Sequence, residues 1–215
     1  MGVREGISAL LFDFDGTIAQ TAEIWSQATR ACFAAHGHHL DEGMLSRILV
    51  NPWPTVVPAL SGPAADAIER DIIDCISEAY LACPPAAGFG EFLEQFADVP
   101  KAIVSSSYRE RLVTPYLCRH DLDRYFPVVI GSEDTVRLKP DPQPVLLALR
   151  LLNACRRGAW LVGDSVTDIE AARSAGIGFI GLGGSASGSD LAADSFQALG
   201  TLLVSLMAKH EHRAQ

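Results

Sequence analysis

The stretch "LLFDFDGTIAQ", Leu10 to Gln20, runs a short apolar segment directly into two acids separated by one aromatic, with Gly16 and Thr17 just behind. An apolar run this short, bounded by turn residues, reads as a strand buried on both faces. Side chains two apart on an extended chain point the same way, so Asp13 and Asp15 are expected to converge on one site while Phe14 turns into the core. Two carboxylates held together at the edge of an apolar interior need a positive partner, because burying unpaired charge is costly.

Working outward, Ile7–Phe14 is the first of several such runs. Ala102–Val104, Val128–Ile130 and Ala159–Val162 follow, with Ile177–Ile180 as a fifth. Helical patterns at Ser107–Cys118, Asp141–Leu152 and Thr167–Ala175 separate them, and this alternation predicts an α/β fold with a Rossmann-like parallel sheet. Ser107 with Glu110 and Thr167 with Glu170 have the spacing of helix-capping pairs, and Gly176 falls where a helix would stop. Between the first two strands lies far more chain than a crossover helix needs. Residues 19–87 therefore read as an inserted small α-helical cap domain, with residues 1–18 and 88–215 forming the core. Amphipathic stretches at Thr21–Ala35, Asp41–Val50 and Pro63–Leu81 are divided by breakers at 36–39, 51–54 and 61–63. Ala19–Thr21 and Cys83–Gly88 are the expected hinges. "GLGGSASGSD", 181–190, reads as a flexible loop before a last helix over Ser195–Lys209.

Composition narrows the function classes. The chain has 215 residues, 48% of them hydrophobic, enough for a sizeable core. A formal net charge of -9 and the lack of any Lys/Arg run argue against nucleic acid as a partner. No apolar stretch approaches the roughly 18 residues of a membrane span. Five cysteines without C-x-x-C spacing read as reduced, mostly buried thiols, which points to the cytoplasm. Nothing in the sequence fixes the oligomeric state.

In open parallel sheets ligands bind beyond the carboxyl ends of the strands. The residues following each run are Asp13 and Asp15; Ser105 and Ser106; and, in "GDSVTD", Asp164 and Asp168, while "RLKPDP" supplies Lys139 ahead of a helix. Three or four acids around one crevice suit a hard divalent cation, and Mg²⁺ commonly works beside substrate phosphate.

Asp-x-Asp-Gly-Thr, then Ser, then Lys-Pro, then Gly-Asp-Ser-x-x-Asp, in this order at strand ends, resembles the four motifs of the haloacid dehalogenase superfamily. The likeness spans Ile7 to Gly176 and is to the branch of phosphoglycolate phosphatases and beta-phosphoglucomutases, whose helical cap sits between the first two motifs. It implies a Mg²⁺-dependent phosphatase acting on a small soluble phosphate monoester, phosphoglycolate or a sugar phosphate, through an aspartyl-phosphate. Asp13 would be the nucleophile and Asp15 the general acid and base. Asp13, Asp164 and the backbone carbonyl of Asp15 would hold the metal. Ser105 and Lys139 would bind phosphoryl oxygens, helped by backbone N–H groups near Phe14 and Ser106. Asp168 would orient metal-bound water or Lys139, and Thr17 would brace Asp15. Arg47, on a cap helix, reads either as a contact to an anionic substrate or as part of a solvated helix face.

Other readings are weaker. The His36, His38 and His39 group lacks a carboxylate or Cys at ligand spacing and reads as a polar loop. Trp25, Trp53 and Trp160 read as packing anchors, and Ser107, Thr167 and Glu170 as capping residues. A phosphomutase of the beta-phosphoglucomutase kind carries a His after the first motif, where this chain has Ile18, Ala19, Gln20 and Thr21. A stoichiometric phospho-accepting switch resembling receiver domains would place its accepting Asp later and lack a cap. No pattern between Thr21 and Cys83 translates into a particular ligand.

Overall fold

The computed structural model describes residues 6–50, 57–59, 61–183 and 188–214. The breaker at 51–54, with Trp53, lies outside the described residues, as do 184–187 of the glycine-rich loop.

In chain order the elements are β1 (Ala9–Phe12), α1 (Ala22–Ala35), α2 (Glu42–Val50), α3 (Ala65–Ala82), α4 (Phe89–Gln95), β2 (Lys101–Val104), α5 (Thr114–Arg119), β3 (Val128–Ile130), α6 (Gln143–Leu151), β4 (Ala159–Gly163), α7 (Val166–Ala175), β5 (Gly178–Leu182), β6 (Leu191–Ala193) and α8 (Phe196–Ala214). The chain divides into two compact units, residues 20–84 and residues 1–19 with 85–215.

The larger unit is built on a six-stranded sheet in the order β3-β2-β1-β4-β5-β6, every pairing parallel. β1 lies between β2 and β4, and all four of its residues, Ala9 to Phe12, are apolar and buried, as a strand covered on both faces requires. Ala9 and Leu11 face one layer with Val104, Ile130, Val145, Ala148 and Leu161. From the opposite face Phe12 meets the rings of Phe89, Phe92, Phe126 and Phe196, with centroids 5.9–6.4 Å away. Edge-to-face contacts of this kind add to the area term of burial. The chain leaves β1 toward β2 on one side and returns to β4 on the other, so the direction of strand order reverses at β1. That reversal opens a crevice at the carboxyl ends of β1 and β4.

Several expectations are corrected. The first strand stops at Phe12, two residues before the expected end, so Asp13 and Asp15 stand in the turn after it. Asp13 still follows the sheet, its N–H donating to Val162 O at 2.8 Å. Residues 89–95 form α4, and 191–193 form a sixth strand in what reads as loop and linker. Both are too short for a periodic signal; β6 gains its structure from parallel pairing with β5. Ser107 does not cap a helix: a π-type turn begins after Tyr108 and passes into α5. The cap of α7 is Ser165 with Asp168, not Thr167 with Glu170. Gly176 does close that helix, in the left-handed conformation at φ 72°. All five cysteines are free, but only Cys32 is buried, while Cys75, Cys118 and Cys155 are exposed. Those three occupy solvent-facing positions on α3, on α5 and after α6.

The regular elements among the described residues of the smaller unit are all helices, with α1 packed on α3 and α2. Trp25 meets the buried Tyr80 edge-on, ring centroids 6.3 Å apart. No helix among the described residues is long and apolar enough to cross a membrane.

Candidate active site

Asp13 is only 7% exposed, and its Oδ1 takes an ion pair from Lys139 Nζ at 2.5 Å. The same ammonium reaches Asp168 Oδ1 at 2.7 Å. Three distant pieces of chain thus meet at one nitrogen: the end of β1, the loop before α6, and the first turn of α7. Asp168, fully buried, is spoken for on its other oxygen as well. Its Oδ2 accepts from the Ser165 N–H at 3.2 Å and from the Ser165 hydroxyl at 2.6 Å. In return the Asp168 N–H donates to Ser165 Oγ at 3.2 Å. This reciprocal cap satisfies two open donors of α7 and locks the carboxylate that locks Lys139. Trp160, on β4 two residues ahead of Val162, is part-buried, and a Cβ on Gly178 would collide with its ring.

Asp164 stands next to this pair. Oxygens of Asp13, Asp164 and Asp168 lie within 4.8 Å of one another, the one such group of His, Cys, Asp or Glu among the described residues. Gly16, at φ 84°, makes the room: a Cβ there would collide with the Asp164 carboxylate. Thr17, expected to brace Asp15, instead donates to Asp164 Oδ1 at 3.3 Å. The turn carries it there because Ile18 N–H closes on Phe14 O at 2.8 Å, pointing Thr17 toward β4.

Burial raises the Asp13 carboxyl well above its ordinary range, repulsion from Asp168 adds to this, and the attraction of Lys139 offsets only part. Asp164 is raised too, mainly by burial and then by Asp168. Lys139 moves the other way from what burial alone demands, its proton held more tightly by Asp13 and Asp168. The directions agree on one point: three carboxylates share a single ammonium, and the cluster is short of positive charge. With Asp168 committed to Lys139 and Ser165, the donors that fit a hard cation are the oxygens of Asp13 and Asp164, in a recess that Gly16 keeps open.

Asp15, half-buried, does not join the three-acid group. Its Oδ2 accepts from Ser107 Oγ at 2.6 Å. Ser105, 2% exposed, follows β2 and accepts the Ser107 N–H at 2.9 Å, a local turn contact ahead of the helical segment. Ser106 is exposed. Phe14 is buried against Tyr116 at 4.9 Å, edge to face. Arg47 belongs to the helical unit, on the exposed side of α2. In that unit His36 Nε2 meets Asp71 Oδ2 at 2.7 Å and the His38 ring lies against Phe33. A carboxylate therefore does stand beside His36, supplied by another helix where sequence spacing does not show it.

Two polar residues of the site were not expected there: Ser107, read from the sequence as a helix cap, and Ser165. Ser165 was legible, since "SVTD" has the spacing of a reciprocal cap with Asp in place of the longer Glu. Ser107's partner is 92 positions away, and no local pattern marks that.

The family model of haloacid dehalogenase-like hydrolases matches residues 10–182, a span that holds every residue of this cluster. The PpaX protein of Caldanaerobacter subterraneus subsp. tengcongensis is 33% identical over 80% of this chain and 79% of its own length. A phosphoglycolate phosphatase of Cupriavidus necator is 29% identical over 91% of this chain and 93% of its own. Among solved structures, CbbY of Rhodobacter sphaeroides in complex with phosphate superposes with a TM-score of 0.78 at 23% identity, covering 90% of this chain and 96% of that one. The chain belongs to the haloacid dehalogenase-like hydrolases.

Proposed function

We propose that this chain is a Mg²⁺-dependent phosphatase for a small soluble phosphate monoester of the phosphoglycolate or sugar-phosphate type, working in the cytoplasm through an aspartyl-phosphate on Asp13. The observation that carries the reading is the Asp13 carboxylate, buried at the carboxyl end of the central strand and aimed by the Lys139 ammonium 2.5 Å away. A nucleophile needs to be held and kept anionic beside an anionic substrate. The name of the C. necator relative supports the substrate class.

In the first step an Asp13 oxygen attacks phosphorus, a bond to that oxygen forms, and the ester bond on the opposite side breaks. The departing alkoxide takes a proton from Asp15. In the second step Asp15, now ionised, takes a proton from water as that water attacks phosphorus. The bond to Asp13 breaks, inorganic phosphate leaves, and both carboxyls are restored. Lys139 and Ser105 donate to phosphoryl oxygens where charge shifts during each displacement, with backbone N–H groups at Phe14 and Ser106 assisting. Asp168 keeps Lys139 in place. Asp13, Asp164 and the backbone carbonyl of Asp15 are the groups that would hold Mg²⁺. When bound, the cation offsets repulsion between the anionic nucleophile and the phosphate and polarises a phosphoryl oxygen.

Turnover of p-nitrophenyl phosphate tests this. The wild type should release many equivalents of phosphate, EDTA should stop release and Mg²⁺ restore it, and Asp13→Asn should be inert. A single equivalent released per chain would instead indicate a stoichiometric acceptor, and undiminished release by Asp13→Asn would remove Asp13 as the nucleophile.

A further inference from the structure

Ser107 is a 9% exposed hydroxyl to which the proposed chemistry gives no part, and it ends on the residue that carries the proton. Its Oγ donates to Asp15 Oδ2 at 2.6 Å. The backbone around it is held from several sides. Its N–H donates to Ser105 Oγ at 2.9 Å, while its carbonyl accepts the Ser132 N–H at 3.0 Å and Ser105 N–H donates to Ile130 O at 2.9 Å. Gly131 closes against this loop so tightly that a Cβ would come 2.8 Å from the Ser107 carbonyl and 2.5 Å from the Arg109 nitrogen. The loop after β2 is therefore sewn to the end of β3, and the product of that arrangement is one hydroxyl delivered to one carboxyl oxygen.

We infer that Ser107 is a positioning residue for Asp15, helping to fix the plane of its carboxyl so that proton transfer to the leaving group occurs from a constant place. The inference rests on the proposed role of Asp15. A carboxyl torsion is broad and roughly two-fold, and proton transfer requires approach within about 2.6–3.2 Å. A donor on Oδ2 suits both stages of the cycle, because the transferable proton can reside on the other oxygen while Ser107 continues to donate. Ser107 touches neither phosphorus nor the leaving group; it acts through Asp15.

The test compares wild type, Ser107→Ala and Ser107→Thr on two esters, glycerol 2-phosphate and p-nitrophenyl phosphate. The alkoxide of the first must be protonated as it leaves, whereas p-nitrophenolate departs without help. Ser107→Ala should lower kcat/KM on glycerol 2-phosphate about tenfold or more and on p-nitrophenyl phosphate by less than about threefold, since only the first needs the aligned acid. Ser107→Thr, which keeps the hydroxyl, should recover most of the loss. Equal losses on both esters, or none on either, overturn the inference. Wild type inert on both esters would instead defeat the phosphatase reading. A crystal structure of Ser107→Ala decides the contact independently of turnover: Asp15 turned or in more than one orientation supports the inference, and Asp15 unmoved overturns it.

Discussion

Asp13 is under opposing demands. The proposed mechanism needs its charge for attack, yet burial and the neighbouring Asp168 raise its carboxyl above the usual range despite Lys139. Its folded-state proton affinity exceeds that of the unfolded chain, so its ionisation subtracts from stability as pH rises from the ordinary 3.8 through the folded value. Asp13→Asn removes that penalty. Without Mg²⁺ at neutral pH the variant should melt higher than wild type, by about 2–4 °C for each kcal/mol recovered in a chain of this size, while losing all turnover. A lower melting temperature would mean that the Lys139 pairing outweighs burial. For Lys139 the sign is opposite. Its raised affinity supplies stability that is complete below the ordinary 10.5 and lost only as pH climbs past the folded value. Lys139→Ala should therefore cost stability at neutral pH and cut kcat by about 10²–10³, the range for one lost charge-stabilising donor; a wild-type kcat would contradict that placement.

Among the elements, α7 and β1 do the positioning. The cap of α7 orders the helix start and holds the Asp168 carboxylate against Lys139 through the same Ser165 hydroxyl. Ser165→Ala should lower stability by about 0.5–2 kcal/mol and also reduce kcat, because Asp168 is freed to turn. An urea titration and steady-state kinetics check both halves, and a stability loss without any kinetic change would separate the cap from the site. On β1, Phe12→Ala should cost about 3–5 kcal/mol, since the ring meets four others. At this scale the sequence was most readable where residues answer local rules: β1 to β5 are apolar runs, and Gly176 is a helix stop. It was least readable where structure is lent by neighbours. β6 exists through pairing with β5, and α4 through its aromatic face, with Phe89 and Phe92 against Phe12 and Phe196. Asp13, Asp164 and Asp168 were identifiable as residues following apolar runs, and Lys139 as a residue ahead of a helix in an ordered motif, whereas Thr17's turn toward Asp164 and Ser107's reach to Asp15 depend on loop paths that no spacing rule encodes.

For the molecule as a whole, a crevice with three carboxylates and one ammonium would tie the proposed metal binding to folding. A cation that binds the folded chain alone stabilises it by about 2.7 kcal/mol at a hundred times its dissociation constant. Mg²⁺ should therefore raise the melting temperature of wild type, and Asp164→Asn should blunt that rise; an equal rise in both would place the cation elsewhere. The net charge of -9 attracts cations everywhere, so it is the difference between the two proteins that carries the information. The most direct measurement of the central claim is mass spectrometry of the chain quenched in acid during turnover of a phosphate monoester with Mg²⁺. One phosphoryl group on the peptide carrying Asp13, absent from Asp13→Asn, is the predicted result. Phosphate release by a wild type that never carries the adduct, or an adduct on any other residue, would contradict it.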